Sequence, residues 1–231
     1  MAARQGQRTG SGDTRVGRAP PAGRQAACPA GRGAPHEVRL IGGQWKRSRL
    51  PVADRPGLRP TPDRVRETLF NWLGQDLGGW HCLDAFAGSG ALGFEAASRG
   101  AARVLMVERD GRLVQSLQAV RARLGAAQVE IVCDDAMRVL TRRPERHFDL
   151  VLLDPPYASG LLPAALQACA DIVGATGWIY AEDAQPLTAP PGWCVHRATR
   201  AGAVHAALLR RDAPRPRPDS ALTDGGHDEK D

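Results

Sequence analysis

The sequence predicts an α/β fold in which helices cover both faces of a seven-stranded, mostly parallel sheet. Three observations lead to this expectation: a glycine-rich loop joins a strand to a helix in residues 82–100, short apolar runs recur along the chain after it, and four strand ends are marked by an acidic residue. At 231 residues, the chain has room for one domain of ordinary size.

Both ends of the chain are predicted to be disordered. Residues 1–36 are rich in Gly, Ala, Pro and Arg without apolar periodicity, and residues 212–231 mix Pro and Arg with acids. The folded domain is therefore expected over residues 37–211.

The first part of this domain, residues 37–60, predicts a small β-hairpin extension. Strand-like runs at 38–41 and 45–50 flank Gly42-Gly43, a pair that suits a hairpin turn. A helix is expected to follow, with Thr61 as its cap and Pro62 in its first position. Apolar residues then recur at helical spacing, which predicts a buried stripe on this helix.

The glycine-rich segment is the first motif with chemical content. A strand-like run ends near Leu83, Gly88-Ser89-Gly90 forms a tight loop, and residues 91–98 favour a helix. This arrangement presents free backbone N–H groups to a ligand. The spacing Gly88-x-Gly90-x-x-Gly93 also matches the dinucleotide fingerprint, so the loop alone does not separate a nicotinamide cofactor from another adenosine-containing one.

Acids at the strand ends help to separate these cofactors. Asp84 would repel a pyrophosphate but attract a ligand that carries an ammonium and a sulfonium group. Glu108 can accept hydrogen bonds from both hydroxyls of a ribose, and Asp135 can accept one from an adenine amino group. Since ligands of open α/β sheets bind across the carboxyl ends of the strands, these acids are expected to share one site.

The segment Asp154-Pro155-Pro156-Tyr157 ends the apolar run 148–153, which predicts a buried central strand. Two prolines fix φ and remove two backbone donors, so the strand must stop there. A carboxylate, a carbonyl and an aromatic ring at a strand tip suit a planar base with an exocyclic amino group. Taken alone, the segment fits a strand end and turn equally well.

The last three strands are predicted at 177–182, 193–196 and 203–210. The final two are expected to pair as an antiparallel hairpin at one edge of the sheet.

Together these motifs resemble a class I S-adenosylmethionine-dependent methyltransferase, with a Rossmann-like fold, of the kind that methylates amino groups. The resemblance rests on Asp84-x-Phe86-x-Gly88-x-Gly90, Glu108, Asp135-Ala136 and Asp154-Pro155-Pro156-Tyr157. The segments 39–45 and 58–73 resemble the RsmD family more particularly. These bacterial enzymes methylate N2 of one guanine in 16S ribosomal RNA, and the similarity runs from about residue 38 to residue 211.

The resemblance implies S-adenosylmethionine as the cofactor, and 16S ribosomal RNA or a small-subunit assembly intermediate as the partner. The residues implied for cofactor binding are Asp84, Phe86, Gly88, Gly90, Glu108, Asp135 and Ala136. In catalysis, Asp154 and the Pro155 carbonyl would accept from the target amino group, and Tyr157 would stack on the base. The hairpin would lie beside this pocket, so its basic residues and their neighbours become candidates for phosphate contacts. These are Arg39, Lys46, Arg47, Arg49, Arg59, Arg64 and Arg66.

Three alternatives stay open. Another amino-methyltransferase, acting on DNA adenine or protein glutamine, usually carries Asn where this chain has Asp154. A nicotinamide-dependent oxidoreductase would leave the Asp154-to-Tyr157 segment and the basic hairpin without a role. A non-enzymatic RNA-binding protein would leave the four acids unexplained.

Composition agrees with a nucleic-acid partner, because the net charge of +6 favours an anionic one. The five cysteines are widely spaced without a C-x-x-C pair, so neither disulfides nor a metal site is expected. No apolar run approaches membrane-spanning length and no signal-peptide core is present, so we expect a cytoplasmic protein without a membrane partner. Nothing in the sequence indicates an obligate dimer, and we expect a monomer.

Overall fold

The computed structural model of the protein describes residues 37–52, 61–142, 148–156 and 159–212. Within these ranges it contains nine strands and five helices. They are β1 (Glu37–Arg39), β2 (Arg49–Pro51), α1 (Asp63–Trp72), β3 (His81–Asp84), α2 (Ala91–Ser98), β4 (Arg103–Glu108), α3 (Gly111–Leu124), β5 (Val129–Cys133), α4 (Ala136–Thr141), β6 (Phe148–Leu153), α5 (Leu162–Cys169), β7 (Val173–Asp183), β8 (Trp193–Ala201) and β9 (Val204–Arg211).

The chain ends that were predicted to be disordered lie outside the described residues, except for Asp212. The backbone N–H of Asp212 donates to the Gly192 carbonyl at 2.9 Å, so this residue is hydrogen-bonded to the described domain. The domain limits of 37–211 stay a prediction.

Seven strands of the described chain form one sheet in the order β5-β4-β3-β6-β7-β9-β8. The first five are parallel, and β9 runs antiparallel to both β7 and β8. This confirms the predicted mostly parallel sheet with an antiparallel edge hairpin. Strand β7 begins earlier than expected, at Val173, because a register shift against β6 absorbs the irregular stretch 174–177 before regular pairing resumes at Trp178.

Strand β6 shows why the sheet carries helices on both faces. Its side chains alternate between the faces, so Leu150 and Leu152 pack in one core with α1, α2 and α3, while Val151 and Leu153 pack in a second core with α4 and α5. A strand buried on both faces needs apolar residues at every position. That requirement explains the continuous apolar run 150–153, whereas Asp149, near the start of the strand, is half-buried and accepts from the His81 N–H.

Helix α1 begins at Asp63, and Pro62 occupies its N-cap position without a capping side chain. The prediction that Thr61 caps this helix is therefore wrong. The Thr61 hydroxyl turns away from the helix towards two carboxylates, and this alternative partner outweighs its local capping preference. The predicted apolar stripe is buried at Val65, Leu69 and Leu73.

Strands β1 and β2 form the predicted N-terminal hairpin, but Gly42-Gly43 is not its two-residue turn. Residues 40–48, which we call the hairpin loop, connect the two short strands. Leu40 still bonds across the hairpin to Arg47 and Ser48. The loop is longer than predicted because the N–H groups of Ile41, Gly42 and Trp45 bond to side chains of α2 instead of pairing across a tight turn.

Candidate active site

Carboxylates mark the ends of four adjacent parallel strands. Glu108 is the last residue of β4 and Asp84 the last of β3, while Asp135 and Asp154 lie just beyond β5 and β6. Pairing aligns Asp84 with Met106 of β4 and Leu152 of β6, so these strand ends open on the same edge of the sheet. This edge is where open α/β sheets bind ligands, and the candidate site is built there.

Asp84 is the most deeply buried of these acids. Its Oδ2 accepts from the Gly93 backbone N–H at 2.9 Å, whereas its Oδ1 is buried without a hydrogen-bond partner in the described structure. Burial raises the pKa of Asp84 to about 7, and the Glu108 charge adds to the increase, while the nearby backbone N–H groups of Gly93 and Phe86 oppose it. A buried, unpartnered carboxylate oxygen of this kind fits a positively charged ligand group.

The glycine loop is held on Glu108. The Glu108 Oε2 accepts from the Gly88 N–H and its Oε1 from the Asp110 N–H, both at 2.9 Å. Gly88 and Gly90 have φ values of 52° and 79°, a left-handed conformation in which glycine avoids the strain of a side chain. Glu108 is only half-buried, so its remaining lone pairs are open to a ligand.

Asp135 begins α4 as its N-cap and accepts from the Arg138 N–H at 3.1 Å. The next residue, Ala136, is buried, and Phe86 lies half-buried beyond β3. Beside them, Asp134 forms ion pairs with Arg138 and Arg142. A hydrogen bond from the Asp135 N–H, reinforced by these arginines, lowers the pKa of Asp134.

Asp154 is joined to a second carboxylate through a single hydroxyl. Thr61 Oγ1 lies 3.2 Å from Asp154 Oδ2 and 2.9 Å from Glu182 Oε1. Tyr180 Oη also donates to Glu182 Oε1, at 2.8 Å. Glu182 is buried near the end of β7, and Asp154 is half-buried at the tip of β6. We call Asp154, Thr61, Glu182 and Tyr180 the carboxyl pair and its hydroxyls.

Burial raises the pKa of both acids in this pair. For Asp154 the increase is large, because the charges of Glu182 and Asp84 add to burial and only the Thr61 hydrogen bond opposes them. For Glu182 the hydrogen bonds from Tyr180 and Thr61 and the Arg66 charge all oppose burial. Burial and the neighbouring Glu182 also raise the pKa of Tyr180, which keeps the phenol protonated.

Pro155 follows Asp154 and is half-exposed at the tip of β6. Among the described residues, no donor bonds to its carbonyl. Tyr157, the third residue predicted for catalysis, and Arg59, a predicted phosphate contact, lie outside the described residues.

The candidates for phosphate contacts divide into exposed and buried side chains. Those exposed to solvent are Arg39, Lys46, Arg47, Arg49 and Arg64, although Arg49 also pairs with Glu37 at 2.8 Å. The prediction is wrong for Arg66, because its side chain is fully buried and its guanidinium contacts Glu95 and Asp63. The helical stripe of α1 turns Arg66 inward and leaves Arg64 outside.

Glu95 of α2 is a buried acid that the sequence reasoning missed. Its carboxylate accepts from the N–H groups of Ile41 and Gly42 at 2.8 and 2.7 Å, and it forms ion pairs with Arg66 and Arg99 at 3.3 and 2.9 Å. Arg66 also donates to the carbonyls of Thr61 and Arg39. One buried network therefore connects the hairpin to the residue that bridges Asp154 and Glu182.

Two sequence signals pointed to the missed acids. Glu182 ends a strand-like run, as Asp84 and Glu108 do, and is a fifth acid at the same edge of the sheet. Glu95 stands alone among apolar and small residues in a helix whose every residue is buried. A lone charge in such surroundings must be paired.

Other kinds of site are not evident in the described ranges. Their histidines, cysteines and acids form no group of three or more that could hold a metal ion. No helix among the described residues is both long and apolar enough to cross a membrane.

Comparison with known proteins identifies relatives over nearly the whole described chain. The family model described as "Conserved hypothetical protein 95" matches residues 38–210. A ribosomal RNA small subunit methyltransferase D from Escherichia coli is 43% identical over 186 residues, which cover 77% of this chain and 91% of the relative. The protein of the same name from Haemophilus influenzae is 38% identical and is covered to 94%.

Solved structures agree with these relatives. A putative methyltransferase from Escherichia coli superposes with a TM-score of 0.69 at 42% identity, covering 77% of this chain and 99% of that one. A putative methylase from Haemophilus influenzae gives a TM-score of 0.66 at 35% identity, covering 76% and 98%.

Proposed function

Because this chain belongs to the RsmD family, we propose that it transfers a methyl group from S-adenosylmethionine to N2 of a guanine in 16S ribosomal RNA. The observation that carries the proposal is the half-buried Asp154 carboxylate, followed by two prolines, beside the buried Asp84. The names of the relatives support small-subunit ribosomal RNA as the substrate. We take the enzyme to be a cytoplasmic monomer that acts on this RNA or on an assembly intermediate.

The residues at the sheet edge fit S-adenosylmethionine, whose sulfonium supplies an activated methyl group. Asp84, with its unpartnered Oδ1, suits the cationic part of the molecule. Glu108 suits the ribose hydroxyls and Asp135 the adenine amino group, while the loop through Gly88 and Gly90 allows close approach.

The protein's part in the chemistry is positioning and proton removal. The lone pair of guanine N2 is delocalised into the ring, so the amino group is a poor nucleophile. Asp154 and the Pro155 carbonyl would accept its two N–H bonds and direct the lone pair towards the methyl group, with Tyr157 stacked on the base. Such positioning lowers the activation barrier of a reaction by roughly several kcal/mol.

The target base must also leave its stack in the folded RNA, at a cost of a few kcal/mol, roughly. The exposed basic residues of the hairpin and α1 are placed to hold the flanking phosphates. The Arg39 and Thr61 carbonyls both accept from Arg66, at 2.9 and 3.3 Å, which sets the hairpin close to the carboxyl pair and its hydroxyls.

Asp154→Ala tests the proposal. The variant should fold and bind S-adenosylmethionine but lose at least about 10² in the single-turnover rate on 16S RNA, the lower end for a positioned acid–base group. Asp171→Ala, at an exposed aspartate after α5, should methylate at the parent rate. Mass mapping of the product should place the methyl on guanine N2.

A near-normal rate from Asp154→Ala would remove this segment from catalysis. Methylation of DNA adenine or a protein glutamine, with 16S RNA left unmodified, would instead assign the site to another substrate.

A further inference from the structure

The carboxyl pair and its hydroxyls form three hydrogen-bonding contacts, but Thr61 and Tyr180 supply only two hydrogens for them when both acids are ionised. The Thr61 hydroxyl has one hydrogen but lies within hydrogen-bonding distance of both Asp154 Oδ2 and Glu182 Oε1. When both acids are ionised, Thr61 can donate to only one of them. When Asp154 carries a proton, its O–H can donate to Thr61 Oγ1 while Thr61 donates to Glu182, and every contact is satisfied.

The surroundings decide which acid takes this proton. Glu182 receives the Tyr180 hydroxyl at 2.8 Å and faces the positive charge of Arg66, and both favour its ionised form. For Asp154, only the hydrogen bond from Thr61 favours the ionised form. The negative charges of Glu182 on β7 and Asp84 at the end of β3 favour the protonated form. A proton taken up by the pair therefore goes to Asp154, the member nearer to solvent.

We propose that Glu182 is a positioning residue, which acts through Thr61 to make Asp154 the acceptor of the proton released in methyl transfer. This inference rests on the proposed function. Transfer forms an N–C bond as the S–C bond breaks, and the sulfur leaves as a neutral thioether. The nitrogen then loses a proton to the Asp154 carboxylate and keeps the electron pair of the broken N–H bond. The new carboxylic acid donates to Thr61, and Thr61 turns its hydrogen to Glu182.

An aspartate with an ordinary pKa would be a weak base for this step at neutral pH. The nearby Glu182 charge raises the proton affinity of Asp154. Thr61 Oγ1, which donates to the Asp154 carboxylate before transfer, can accept from the new carboxylic acid once its own hydrogen has turned to Glu182. Glu182 is buried and contacts Thr61. It acts on Asp154 through its charge and through this hydroxyl, so it need not touch the RNA or the cofactor.

Thr61→Val and Glu182→Gln test the inference through the pH dependence of the single-turnover rate. Removing the Glu182 charge should lower the pKa of Asp154, so the acidic limb of the rate profile should move down by roughly one pH unit. The plateau rate should fall about tenfold in both variants, towards the rate of a poorly matched base. Calorimetric affinity for S-adenosylhomocysteine should stay unchanged.

Thr61→Ser is the matched control, because it keeps the hydroxyl and should restore the parent rate and profile. Folded Thr61→Val and Glu182→Gln proteins with the parent profile would overturn the inference, and so would a rate loss in Glu182→Gln that leaves its acidic limb in place. If the parent enzyme is active and Asp154→Ala is equally active, the proposed function of Asp154 has failed, which is a separate result.

Discussion

The guanidinium of Arg66 lies 3.3 Å from the Glu95 carboxylate, and neither side chain is exposed to solvent. The pair joins α1 to α2 in the core, and the same carboxylate holds the hairpin loop. A charge buried this deeply is tolerated only while its partners remain, so the pair fixes the relative positions of three elements.

Arg66→Met should therefore destabilise the protein, because it leaves Glu95 with one fewer charged partner. Removing one member of a buried pair typically lowers the free energy of unfolding by about 3–5 kcal/mol. Arg64→Met, in the same helix at an exposed position, should change it by less than about 0.5 kcal/mol. Urea denaturation measures both values, and equal values for the two variants would contradict the role of the buried pair.

Gly43→Ala should disrupt the contact between the hairpin loop and α2. Gly43 has a φ of 69°, and an added Cβ would lie 1.8 Å from the Ser98 carbonyl oxygen, a backbone atom that cannot swing aside. Gly125→Ala is the matched control, because Gly125 has a φ of 62° with open space around it.

The free energy of unfolding of the Gly125→Ala control should fall by about 1–2 kcal/mol, because alanine is strained in the left-handed backbone conformation. The free energy of unfolding of Gly43→Ala should fall by the same amount and by roughly 1–3 kcal/mol more, because the added Cβ collides with the Ser98 carbonyl. Chemical denaturation of the two variants separates the cost of the backbone conformation from the cost of the steric clash. An equal loss of stability in both would mean that the hairpin loop moves freely away from Ser98.

Asp84 should make cofactor binding depend on pH. Its pKa is raised to about 7 by burial, so below that pH the free protein carries a proton on this group. A bound cation favours the carboxylate, and binding therefore expels the proton. The affinity for S-adenosylmethionine should rise as pH increases towards about 7 and level off above it.

Calorimetric titration in buffers of different ionisation enthalpy would detect the released proton directly. The same titration with Asp84→Asn should show no proton release and little change with pH. A parent affinity that is flat between acidic and neutral pH would separate Asp84 from the cofactor.

Glu108→Ala should weaken S-adenosylmethionine binding, because it removes acceptors for the ribose hydroxyls and the bond that holds Gly88. Hydrogen bonds to charged groups contribute about 1.5–3 kcal/mol, which corresponds to roughly ten- to hundredfold in affinity. Glu130→Ala, at an exposed position in β5, should leave the affinity unchanged. Unaltered binding by a folded Glu108→Ala protein would exclude Glu108 from the cofactor site.

The exposed basic side chains of the hairpin loop should contribute to RNA affinity by contacting backbone phosphates. With both Lys46 and Arg47 changed to Gln, the dependence of log K on log salt concentration should become shallower by about 1.4–1.8, or about 0.7–0.9 for each charge. The same changes at Arg112 and Arg121, exposed on α3, provide the control. An equal loss of slope in both proteins would mean that the attraction comes from overall charge.

The strand ends and the glycine loop were predictable because their signals are local. Buried strands read as apolar runs, and Asp84, Glu108 and Asp154 end those runs or follow them directly. Thr61 was assigned to a helix cap because capping is the local preference of threonine before a helix. Its observed partner Glu182 is 121 positions away, and only the completed sheet brings the two together.

Partners that are distant in sequence also explain why the hairpin turn and the role of Arg66 were predicted wrongly. The glycine pair favoured a tight turn locally, while the bonds from Ile41 and Gly42 to Glu95 span more than 50 positions of sequence. Arg66 belongs to a basic segment, but its helical phase places it in the core opposite Glu95. Periodicity marks a buried face, and it does not reveal that a charge on that face has a distant partner.

The attachment of the hairpin loop to α2 limits how this domain can be divided or recombined. A protein beginning at residue 61 would strip Glu95 of its two backbone donors and expose a helix whose every residue is buried. The hairpin is thus the outer wall of the catalytic core as well as a basic surface. Exchange of this segment for an RNA-binding module from another protein would succeed only if the replacement also supplied partners for Glu95.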